Sequence, residues 1–127
     1  AGLLAYDLIR LLILATGLVP FNPFRAIEVY GLLILDTHEE SLLTKSLGWA
    51  FHIWNGLFFA VMYATAFGKG RLIYAVLWGL LLEGAMLATY PSMFHIAMDW
   101  PFIVIGVIGH LAYGLTIGLV TPRAVRY

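Results

Sequence analysis

Five ionisable side chains stand inside stretches of sequence that are otherwise almost wholly apolar: Asp7, Arg10, His52, Glu83 and His110. An imidazole titrates near neutrality and ligates metals and tetrapyrroles, whereas a carboxylate or guanidinium among apolar residues needs a partner. The two histidines share a frame. Gly48-x-x-x-His52-x-x-x-Gly56-Leu57 is matched by Gly106-x-x-x-His110-x-x-x-Gly114-Leu115. Residues four apart lie along one ridge of an α-helix, so each frame predicts a smooth small-residue face interrupted by one imidazole. Asn55 and Tyr113 each follow a histidine by three residues and add hydrogen-bonding groups beside it.

Three kinds of chemistry suit this layer. In the first, the polar groups are interhelical glue: Asp7 and Arg10, spaced i and i+3, pair on their own helix, and Glu83 meets His52, His110 or Arg10. The glycines are then close-packing contacts. In the second, His52 and His110 are axial ligands of haem b or a chlorophyll-type pigment, with Gly48, Gly56, Gly106 and Gly114 leaving room for a flat macrocycle. This arrangement is similar to membrane b-type cytochromes, which take haem ligands from alternate helices, and the small residue four before each His resembles light-harvesting polypeptides. The likeness covers about nine residues in each of two helices, and it identifies no family. In the third, the layer of His, Glu and Arg is a pathway for protons or a small solute. No metal is assigned, since imidazole and carboxylate suit several metals and their spacing selects none.

The rest of the chain must hold these groups, and its composition says in what solvent. Of 127 residues, 62% are hydrophobic and 11% charged, against roughly 45–50% and 25% in soluble domains. A chain this small cannot hide so much apolar surface from water, so the partner phase is a lipid bilayer. Seven basic residues balance seven acidic ones, which leaves no basic patch for nucleic acid. With no cysteine there is neither a disulfide framework nor a thiolate site.

Hydropathy predicts an all-α integral membrane protein of one domain, 1–127: an up-down bundle of four transmembrane helices at about 2–19, 47–67, 72–90 and 102–120. The first is read as a retained helix rather than a signal peptide, because it lacks a basic start and carries Asp7 and Arg10. A short apolar piece at about 24–36 lies in or re-enters the interface. Thr37 and Glu40 have capping-box spacing, so the next helix is expected to begin near Thr37. Counting about 1.5 Å per residue, the ionisable groups fall roughly 8–18 Å from the outer ends of their helices, in one layer.

Lys69, Arg71, Arg123 and Arg126 flank one side of the predicted spans, and the Pro91–Pro101 link carries Asp99 and no base, which puts both termini in the cytoplasm. The cytoplasmic or inner membrane of a bacterium fits this pattern. Met93, His95, Met98 and Asp99 on the outer link, with His38, could suggest copper, but two thioethers at an interface read as apolar anchors. No hydrolase, nucleotide-binding or metalloprotease motif is present, and no catalytic residue is assigned. The functional expectation is therefore a non-catalytic subunit of a larger membrane protein complex, with other membrane subunits as partners.

Overall fold

The computed structural model describes residues 1–68, 71–94 and 99–124. Among them are five helices and no strand: α1 (Gly2–Thr16), α2 (Arg25–Ile34), α3 (Leu42–Phe67), α4 (Leu72–Phe94) and α5 (Trp100–Ala124). Three are long and apolar enough to cross a membrane, namely α3, α4 and α5. The chain is a helical membrane protein on that ground. Lys69, His95, Met98 and Arg126, which bear on the orientation and copper readings above, lie outside the described residues.

The first predicted span is shorter than expected. Gly17 takes φ 66°, its N–H bonds the Leu14 carbonyl, and α1 stops at Thr16. The described helix, Gly2–Thr16, is about 22 Å long. The segment expected at about 24–36 is the helix α2.

The end of α2 explains why the next helix does not start where expected. Asp36 adopts φ 48°, the Asp36 N–H bonds the Leu33 carbonyl, and the Thr37 N–H bonds the Leu32 carbonyl. This is a Schellman closure. Thr37 is therefore committed to ending α2, and its hydroxyl accepts only from the Glu39 amide. Glu40 turns instead to Arg25 and Lys45. The Arg25 guanidinium holds the Glu40 carboxyl below the usual carboxylate range. The capping box belongs to Ser41 and Thr44: the Thr44 N–H donates to Ser41 Oγ at 3.1 Å, and the Ser41 N–H donates to Thr44 Oγ1 at 2.8 Å. Ser41→Ala is expected to lower thermal stability in detergent by about 1 kcal/mol, while Thr37→Ala, which caps nothing in α3, should cost less than half of that. Equal losses in parallel melts would return the cap to Thr37.

At the other end of the chain, α4 runs through Pro91 to Phe94, beyond its expected end at 90. A proline in a last turn removes one backbone bond without a long helix to kink beyond it. Asp99 caps α5, its Oδ1 accepting from the Phe102 N–H at 3.0 Å.

Packing is uneven. α2 lies along α3, and α5 lies against both α1 and α4, but α3 barely touches α1 or α4. The crossing of α2 and α3 is made by Gly31 and Gly48, each set against the other helix's backbone. Gly79 and Gly114 do the same for α4 and α5. The buried core is Tyr6, Tyr63, Ala75, Tyr113 and Ile117. Only 6% of the apolar stretch of α3 is buried within the chain, against 39% of that of α5. Between α3 and α4 a cleft of about 480 Å³ stays open.

Candidate functional site in the membrane layer

The ionisable groups do meet, in two pairs on either side of one aromatic ring. From α1, Asp7 reaches α3, where His52 Nε2 donates to its carboxylate at 2.9 and 3.1 Å. From α4, Glu83 reaches α5 and places Oε2 2.7 Å from His110 Nδ1. The Nδ1–H itself points along the helix to the Gly106 carbonyl, 3.0 Å away, so neither oxygen of Glu83 has a well-aimed donor among the described residues. Glu83 is 2% exposed. The approach is close in distance only, with the Nδ1–H aimed at the backbone carbonyl rather than at the carboxyl.

Tyr6 stands between the two pairs. Its ring centroid is 4.9 Å from that of His110, edge to face, and 6.1 Å from that of His52. Gly109 makes space for it, since a Cβ there would fall 2.6 Å from the Tyr6 ring. The local Asp7–Arg10 pair expected from spacing is loose, at 3.9 Å, because the Asp7 carboxylate is turned to His52. Tyr113 bridges α5 to α3 by donating its hydroxyl proton to the Gly56 carbonyl at 2.8 Å. Asn55 is half-buried and lines the cleft, as do His52, His110 and Tyr113.

The four frame glycines are each covered by the chain itself. Gly48 faces the α2 backbone at Ile27 and Gly31, Gly56 faces the Leu3 side chain, and Gly114 faces the α4 backbone at Ala75 and Val76. Gly106 faces Glu83, whose Oε2 would lie 2.8 Å from an added Cβ. A glycine at 106 is therefore what lets the Glu83 carboxyl come up to His110. The two histidines do not face each other across an open slot, but both line the cleft, and each keeps a second ring nitrogen without a hydrogen-bond partner among the described residues.

Sequence reasoning missed Tyr6 and Tyr30, which also line the cleft. A signal for Tyr6 was present: it precedes Arg10 by four residues and so shares its helix face. Among the described residues no three His, Asp or Glu side chains converge as a metal site. No family model, curated protein or solved structure matches this chain.

Proposed function

We propose that the chain is a non-catalytic subunit of a larger membrane protein complex, a four-span bundle in a bacterial cytoplasmic membrane with both termini in the cytoplasm. The observation that carries this reading is α3: of its 26 residues only Thr44, Gly48 and Tyr63 are buried, and its most apolar stretch is only 6% buried in its own chain. Trp54, Leu57 and Val61 are 65%, 56% and 60% exposed along it. The orientation rests on Arg71 and the basic tail against Asp99.

Purification from the native membrane in mild detergent should recover the chain with other polypeptides in fixed ratio. Recovery as a lone monomer, in a detergent that keeps known complexes together, would sink the proposal.

A second reading is favoured by His52 and His110 lining one cleft: haem b or a chlorophyll-type pigment held by either imidazole through its uncommitted nitrogen. Tyr6 lies against both rings, so one axial ligand fits this geometry more easily than two. Oxidised and reduced absorption spectra decide it. A colourless native preparation removes the pigment reading.

A further inference from the structure

Among the described residues, Arg10 is a buried cation short of acceptors. Its side chain is 7% exposed, and the nearest carboxylate oxygen, Asp7 Oδ1, is 3.9 Å away and already taken by His52. A guanidinium carries five N–H donors in one plane. Its carbon lies 5.0 Å from the Tyr6 ring centroid and 4.8 Å from that of Phe24, so aromatic faces stabilise the charge but accept none of those in-plane donors.

Arg10 borders a small cavity of about 40 Å³, shared with Tyr30, His52, Tyr90 and the first turn of α2 at Ala26 and Ile27. That volume holds roughly three waters, about the size of one carboxylate head. The N-terminus of α2 adds the positive end of a helix dipole. Five residues of its wall, Tyr6, Tyr30, His52, Met86 and Tyr90, also line the 480 Å³ cleft. A small chamber holding a fixed cation thus adjoins an apolar trough walled by Leu33, Ile34, Phe51, Phe59 and Leu82.

We propose that the two cavities together bind an amphipathic carboxylate, a fatty-acid-like molecule whose head meets Arg10 and whose hydrocarbon body lies between α3 and α4. The inference does not depend on partner subunits. Arg is suited to a carboxylate because two of its donors match the two oxygens. The ionisable groups that line the head chamber with Arg10 are His52, Tyr6, Tyr30 and Tyr90, with the Asp7 carboxylate 3.9 Å from Arg10 and held by His52. In lipid an alkyl chain gains little from leaving one apolar phase for another, so selectivity must come from the head.

The test uses the full chain in neutral detergent micelles and cis-parinaric acid, a fluorescent polyene acid, excited by energy transfer from the tryptophans, of which Trp49 packs 5.8 Å from His52. Palmitic acid should displace the probe at a concentration roughly tenfold below that needed for methyl palmitate, because the ester cannot form the paired ionic contact. Acetate at equal concentration should displace none. Arg10→Gln should bring acid and ester together, and Arg10→Lys, which keeps the charge should the neutral variant not fold, should retain a preference for the acid. Leu82→Trp, which fills the trough, should weaken both. Equal displacement by acid and ester in the wild type overturns the proposal. Displacement by acetate as effective as by palmitate overturns the part of it that seats a chain in the cleft, as does palmitate binding unchanged in Leu82→Trp.

Discussion

His110→Leu is expected to destabilise the protein by about 3–5 kcal/mol, and His110→Leu combined with Glu83→Met to recover most of that loss. The reason is asymmetry. An interhelical polar contact in a membrane averages only ~0.6 kcal/mol, so loss of the bond alone would be a small effect. But Glu83 is 2% exposed, no donor among the described residues is well aimed at its oxygens, and the His110 imidazole, with Nδ1 2.7 Å away, is the polar side chain set against them. Taking away the imidazole leaves a buried carboxyl with an apolar side chain where its polar neighbour stood, and that desolvation is the large term. Replacing both by apolar side chains removes the penalty along with the pair. Unfolding of the single and double variants in detergent, read by circular dichroism as a double-mutant cycle, measures the coupling. If the double variant is as unstable as His110→Leu, Glu83 is not held by His110.

Gly48→Ala is expected to cost about 3 kcal/mol, and Gly31→Ala the same, with α2 peeling from α3. In both, a new methyl group runs into main chain: at 48 it meets the Ile27 carbonyl and comes within 3.2 Å of the Gly31 nitrogen, and at 31 it meets the Thr44 carbonyl. A backbone carbonyl cannot rotate away as a side-chain tip can, so the helices must separate, which puts the cost at the upper end of overpacking. Gly56→Ala is the contrast within the same frame. Its Cβ meets only the Leu3 side chain, 2.6 Å from Cδ1, and Leu3 can change rotamer. Gly84→Ala supplies the control. Nothing lies within 4 Å of its Cβ, and alanine is the better helix former by about 1 kcal/mol, so that variant should be neutral or slightly stabilised. Melting curves showing Gly48→Ala no worse than Gly56→Ala would mean that the α2–α3 crossing is not a tight contact.

Much of the layer could be read from residue type alone. A charge inside an apolar run is costly unless paired, so Asp7, His52, Glu83 and His110 had to find partners within the bundle. Which partner each found could not be read. By spacing, Asp7 belongs with Arg10, three residues on. In the fold it turns to His52, 45 positions away, and Arg10 is left between two aromatic rings. Choice of rotamer and the rotation of α1 about its axis decide between those outcomes, and neither is encoded in a local pattern. The same holds for the glycines: identical frames around His52 and His110 face four different neighbours.

The sequence by itself determined the solvent and the material of this protein. Apolar runs of twenty or so residues must satisfy their own backbone groups in lipid, and helices are what such runs form. Turn chemistry was half legible. The first span was expected to run to about 19 and ends at Thr16, and a Thr-x-x-Glu spacing and a Ser-x-x-Thr spacing compete for the start of α3, where only the Schellman closure around Asp36 decides between them. What the tertiary structure alone decided is where helices do not touch. α3 lies along α2 and stands off from α4, because Gly31 and Gly48 let two backbones meet there and, among the described residues, no comparable pair draws α3 to α4. The cleft is the consequence of that missing contact. Its polar lining comes from residues on all five helices, brought together by packing between segments far apart in the chain, which no local reading of the sequence contains.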